Sequence, residues 1–140
     1  MVTVYAMTPS GENQQDPGLA HLRAQSDATP DEPKVWHHLG QASEASNLLE
    51  DAVRAFARAA QLDPEWPAPC FGLARTLARL NQDDAAITAY RTALALEPEQ
   101  AEAHFALARL LEKRGAASGA VAHFSAAALH KPDWPKPHLY

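Results

Sequence analysis

Seven histidines and one cysteine are the residues of this 140-residue chain with the widest chemical reach. The histidines are His21, His37, His38, His104, His123, His130 and His138. A metal site needs ligands at convergent spacing, such as two histidines one helical turn apart with a carboxylate beside them. That spacing is absent here. His37 and His38 are neighbours and leave a helix on different faces. His123 and His130 have no carboxylate one turn from either between them. No functional metal is therefore expected. Cys70, the lone cysteine, excludes an intramolecular disulfide or a Cys-based zinc module. A catalytic thiol would need a histidine partner and an electropositive setting. Cys70 is expected instead to pack inward as a small hydrophobe. No glycine-rich phosphate loop, nucleophile elbow or paired acidic motif is present. The residues point to no enzyme and no cofactor.

Binding chemistry is better represented. Phe71, Arg75 and Arg79 rise at every fourth residue, and Phe105, Arg109 and Lys113 do the same. On a helix such spacing makes one stripe. Arginine suits bidentate recognition of carboxylate or phosphate, and an exposed phenylalanine offers an apolar anchor. The two stripes suit a protein or peptide segment carrying acidic and apolar residues. The other reading leaves the phenylalanines as packing between adjacent helices. The arginines are then solvated, or paired with Asp83, Asp84 or Glu112.

The elements that position these residues are legible from the prolines. Three proline-free windows, 34–63, 70–97 and 99–131, are each too long for one ordinary helix and suit a helix–turn–helix. Proline inside a helix costs about 3 kcal/mol, so its exclusion from these windows is a physical signal. Alanine, leucine, arginine and glutamate fill them, and all are strong helix formers. Pro64, Pro98 and Pro132 stand 34 residues apart. The same interval relates Phe56, Tyr90 and Phe124; Ala52, Ala86 and Ala120; Ala59, Ala93 and Ala127; and Leu39, Leu73 and Leu107. Gly40, Ala74 and Ala108 form a small-residue column, and Asn47, Asn81 and Gly115 a turn-tolerant one. A fixed period of this size means stacked repeats. The chain is read as all-α from residue 33 onward. A first helix in each unit is expected over 34–46, 68–80 and 102–114, and a second over 50–62, 84–96 and 118–130. Small columns let two backbones approach. The aromatic column is expected to fill space against the next unit's first helix.

The pattern resembles the tetratricopeptide repeat, W-x2-L-G-x2-Y followed by A-x3-F, A and P. Unit 33–66 shows Trp36, Leu39, Gly40, Ala52, Phe56, Ala59 and Pro64. Units 67–100 and 101–134 repeat it from Leu73 to Pro98 and from Leu107 to Pro132. The Trp position holds Cys70 and His104 in the later units, and the Tyr position holds Ser43, Leu77 and Leu111. The resemblance implies an α-solenoid of three repeats with a right-handed superhelical stack and a concave face lined by the first helices. Ligand positions carried over from the family are the second, fifth, ninth, twelfth and thirteenth of each unit. They include Lys34, His37 and Gln41 in the first unit, Phe71, Arg75 and Arg79 in the second, and Phe105, Arg109 and Lys113 in the third. Family members that clamp a C-terminal carboxylate of a chaperone use Lys and Asn, then Asn, then Lys and Arg. Here those places hold His37, Gln41, Gly72, Glu102 and Ala106, so that role is not expected.

The flanks carry fewer signals. Residues 1–16 read as a disordered leader. Asp16-Pro17 is a good helix start, so 17–32 is expected to hold a short helix over 17–27; a mobile tail is the alternative. Residues 132–137, Pro-Asp-Trp-Pro-Lys-Pro, echo 64–69, Pro-Glu-Trp-Pro-Ala-Pro. Residues 135–140 thus read as the start of a fourth unit or as a cap. The last second helix would otherwise expose Val121, Phe124 and Leu129. Its cover is left open between Trp134, Leu139 and Tyr140 folding back, a second copy in a homodimer, and a docked partner.

Formal net charge is −5, from Lys+Arg 12 and Asp+Glu 17. Residues 1–32 carry most of the excess acid, so the repeats are nearly balanced. An acidic chain is a poor general binder of nucleic acid. No apolar run approaches the roughly 18–20 residues of a membrane span, and residues 1–16 lack the regions of a secretory signal. A cytoplasmic setting is expected. Alanine richness and a preference for Arg over Lys fit a GC-rich bacterial genome. The function read from all this is a non-catalytic interaction scaffold that binds a partner segment in the concave groove. The alternative is an assembly or regulatory subunit, or the detached front end, of a larger enzyme or transport complex.

Overall fold

A computed structural model describes residues 17–130. The leader over 1–16 and the segment 135–140, with Trp134 before it, lie outside the described residues. Seven helices make up the described chain: α1 (Pro17–Ala28), α2 (Pro33–Ala45), α3 (Leu49–Leu62), α4 (Pro67–Arg79), α5 (Asp83–Leu96), α6 (Ala101–Lys113) and α7 (Ala117–His130). The six expected repeat helices are all present, and each begins one residue earlier than its expected start.

Local chemistry sets these boundaries. Pro33 and Pro67 occupy the first helical turn of α2 and α4, where a missing N–H costs nothing. Neither Glu32 nor Trp66 supplies a side-chain cap, so proline's fixed φ is what starts these helices. Glu50 and Asp51 open α3, and Asp83 and Asp84 open α5, where acids favour the positive end of the dipole. The turn column works as its residue types imply. Asn47 and Asn81 both have φ 62° and Gly115 has φ 85°. Each is followed by an N–H that reaches five residues back: Leu48 to Ser43 at 2.8 Å, Gln82 to Leu77 at 2.9 Å and Ala116 to Leu111 at 2.8 Å. The same left-handed cap closes the first helix of every repeat.

Residue contacts divide the chain into two units, Met1–Pro64 and Glu65–Tyr140. In the first, α1 packs on α2 and α2 on α3. Leu19, Leu39 and Ala55 form its buried cluster, with Leu22, Trp36, Ala42 and Leu48 packed around it. The helix expected over 17–27 is thus present, and it buries Leu19 completely. Its end is informative. The helices α1, α3, α5 and α7 end at Ala28, Leu62, Leu96 and His130, each 34 residues after the last. So α1 keeps the register of a repeat's second helix.

In the second unit, α4 packs on α5, α5 on α6, α6 on α7, and α4 also touches α6. Ala74, Ala86, Ala93, Leu107 and Ala108 are fully buried there. The alanines among them are small enough to let neighbouring backbones come close.

The aromatic column departs from expectation. Phe56 packs back onto its own repeat: a Cβ added to Gly40 would lie 2.7 Å from its ring. Phe124 likewise meets Phe105 of its own repeat, ring centroids 5.4 Å apart. These rings therefore join the two helices of one repeat. A 34-residue spacing does not say on which side of the second helix a ring lies.

Gly40→Ala should lower stability by about 1–3 kcal/mol in urea unfolding, because the added methyl overpacks the Phe56 ring. Gly119→Ala is the contrast. Its added Cβ would sit 3.4 Å from Leu111 Cδ1, an ordinary contact. It should raise stability by roughly 0.5–1 kcal/mol through helix propensity.

Candidate protein-interaction face

The candidate site is built from α4 and α6, which both belong to the second unit. Four-residue spacing puts Phe71, Arg75 and Arg79 on one stripe of α4, and Phe105, Arg109 and Lys113 on one stripe of α6. Arg75, Arg79, Arg109 and Lys113 are exposed, and both phenylalanines are half-buried. Facing Ala78 on α4 and Ala106 on α6 are too small to fill the space between the helices. A concavity of about 470 Å³ results, lined by Ala78, Ala106, Arg109, Leu110, Glu112 and Lys113. Its base is apolar and its rim is charged.

Each α6 residue is held by identifiable contacts. Phe105 packs edge-on against Phe124 of α7, with 63° between the rings. The Arg109 guanidinium lies 5.9 Å from the Phe105 ring centroid, one turn along the same helix. Lys113 Nζ lies 2.9 Å from Asp83 Oδ2, and Arg114 pairs with Asp84. The first two residues of α5 thus neutralise the cations at the end of α6. Packing and ion pairing, weighed above against a binding role, both contribute here. Phe105 packs and Lys113 is paired, while Arg109 keeps its guanidinium at the rim.

The remaining candidates fall elsewhere. Lys34 and Gln41 are exposed on α2 of the first unit. His37 is buried, with 8 % exposure and its ring centroid 5.4 Å from that of Phe56. It is an interior packing residue, which family position alone had placed on the ligand face. On α4, Phe71, Arg75 and Arg79 keep the stripe, but the wall of the concavity on that side is Ala78. Cys70 is buried as expected, and burial pushes its thiol above the ordinary range, away from reactivity.

One contact was missed in the sequence. His104 and His123 meet with Nδ1 atoms 3.0 Å apart. The repeat alignment held the signal, because both positions carry histidine only in the third repeat. Among the described residues, no three His, Cys, Asp or Glu side chains converge as a metal site would require. No described helix is long and apolar enough to cross a membrane.

Comparison with known proteins agrees with this architecture. The tetratricopeptide repeat family matches residues 33–65, and the TPR repeat family matches residues 74–115, together more than half of the chain. No curated protein matches the sequence. A crystal structure of MamA superposes with a TM-score of 0.81 at 20 % identity, covering 90 % of this chain and 76 % of that one. A MamA structure designated MSR-1 gives 0.75 at 27 % identity, over 91 % and 72 % of the two chains. The Yersinia enterocolitica type III secretion chaperone SycD, in complex with a peptide of the translocator YopD, gives 0.68 at 22 % identity, over 73 % and 78 %. The chain belongs to the tetratricopeptide repeat family. Its function class is the protein–protein interaction scaffold.

Phe105→Ala should cost about 2 kcal/mol, below the range for a fully buried ring because Phe105 is half-buried. Thermal unfolding monitored by circular dichroism checks this.

Proposed function

We propose that the face formed by α4 and α6 binds a protein segment bearing acidic and apolar side chains. The observation that carries this reading is the concavity itself. Two alanines leave an apolar recess, and Arg109 stands at its rim beside the Lys113–Asp83 pair. An apolar side chain fits the recess, and a carboxylate beside it meets a guanidinium suited to bidentate bonding. Arg75 and Arg79 extend the positive stripe along α4. Lys34 and Gln41, exposed on α2, are further candidate contacts. Family membership supports a protein as the ligand, and the chemistry of the face supplies its character. Catalysis is not part of the reading.

A second reading rests on α7. That helix carries no Asp, Glu, Lys or Arg, and it exposes Val121 at 41 % and Leu129 at 76 %. Such a face suits assembly into a larger complex. Light scattering at two concentrations addresses its simplest form: self-pairing predicts a mass that rises with concentration, and a constant monomer mass removes that form.

For the main reading, a dye-labelled synthetic peptide alternating glutamate and leucine serves as probe. Fluorescence anisotropy should show saturable binding. Arg75→Ala combined with Arg109→Ala should weaken it at least tenfold, equivalent to about 1.4 kcal/mol. Unchanged affinity would remove the α4/α6 face from consideration.

A further inference from the structure

The two helices of the third repeat are joined by an imidazole pair where the other repeats have apolar residues. Position 104 corresponds to Trp36 and Cys70, and position 123 to Ala55 and Ala89. Trp36 packs against the cluster that contains Ala55, and its Nε1–H donates to the Pro30 carbonyl at 2.9 Å. His104 takes over that bond: its Nε2 lies 2.8 Å from the carbonyl of Pro98, the equivalent acceptor two repeats on. A carbonyl can only accept, so His104 carries its proton on Nε2. In the neutral ring Nδ1 is then a bare lone pair, and it faces His123 Nδ1 at 3.0 Å. His123 must donate from Nδ1.

The geometry is that of a direct hydrogen bond. Ring centroids are 5.3 Å apart and the planes differ by 24°. That separation is little more than the nitrogen–nitrogen distance plus the two ring radii. The nitrogens therefore lie close to the line joining the rings, and their lone-pair directions oppose each other. Two ligands of one metal ion would have to converge instead.

We propose that His104 and His123 form a pH-sensitive latch that fastens α7 to α6 near neutral pH and releases it on acidification. One added proton leaves a single proton between the two Nδ1 atoms, so the bond survives. A second must put a proton on both Nδ1 atoms at once. Two N–H donors then face each other across 3.0 Å, both rings are cationic, and the bond is lost.

Surrounding charges oppose that second proton. Burial above all, then His104 on α6 and Arg91 on α5, holds the pKa of His123 below the ordinary imidazole value. Helix α7 brings no carboxylate, and neither does α4, whose ionisable groups are Cys70, Arg75 and Arg79. The carboxylates of α5, Asp83 and Asp84, are paired with Lys113 and Arg114. On α6, Glu102 and Glu112 are exposed; in the preceding turn Glu99 is exposed too, and Glu97 accepts a bond from Gln100.

The sign follows. Below about pH 6.5 the unfolded chain protonates both rings, while the folded pair resists the second proton. The unfolded state then binds more protons, so stability is fully present above that pH and falls as pH drops through the window down to the depressed folded value.

Thermal unfolding from about pH 7.5 to about pH 5 tests the latch on the full chain. Wild type should lose about 4 °C more in Tm than His123→Ala, which restores the alanine of the other repeats. His38→Ala, at an exposed ring, should lose as much as wild type. An equal loss in wild type and His123→Ala would overturn the proposal. Imidazole nitrogen NMR of the wild type is a second measurement that needs no variant. It should show protons on His104 Nε2 and His123 Nδ1 at neutral pH, and linked titration of the two rings. Two rings titrating independently near the ordinary value would also overturn it.

Discussion

The structure depends on how closely two helix backbones approach within one repeat. Gly40 and Phe56 show the limit: the ring lies where a Cβ would otherwise stand. Close approach buries the small columns Ala52, Ala86 and Ala120 almost completely. The turn between the helices must then reverse the chain within a few residues. A residue at positive φ with a five-back hydrogen bond does this at Asn47, Asn81 and Gly115. Contact, column and cap are one constraint expressed three times.

Because that constraint acts through residue size and backbone geometry, it was legible in the sequence. Proline columns gave the boundaries, small columns the helix contacts, and the asparagine–glycine column the turns. Asp16-Pro17 with Leu19 and Leu22 behind it allows helix α1 or a mobile tail, and the helix's register with the other second helices emerges only when Ala28, Leu62, Leu96 and His130 are compared as endpoints. The direction of the aromatic column was not legible. A 34-residue spacing places Phe56 and Phe124 on equivalent faces but does not say which neighbour lies across from them.

The candidate face was partly legible for the same reason. Four-residue spacing correctly put Phe105, Arg109 and Lys113 on one stripe. Asp83 stands among the acids that could neutralise the stripes, but spacing does not say that Lys113 is the cation it meets, because that pair joins different helices. Family position alone placed His37 on the ligand face, yet the ring packs beside Phe56. The concavity arises from side chains that are missing rather than present. Ala78 and Ala106 read as helix filler in a chain rich in alanine, and only the packing of α4 on α6 gives their size a consequence. The imidazole pair is a related case: each histidine is unremarkable alone, and the chemistry appears when positions 104 and 123 are seen as partners.

The central proposal is that a protein segment is held between α4 and α6. Amide chemical-shift mapping with the glutamate–leucine peptide tests it most directly, since it locates contact without altering the protein. The account predicts shifts concentrated at residues 71–79 and 105–113 and centred on Ala78, Ala106 and Arg109. Shifts confined to α7 or to the first unit, or no shifts at saturating peptide, would contradict it.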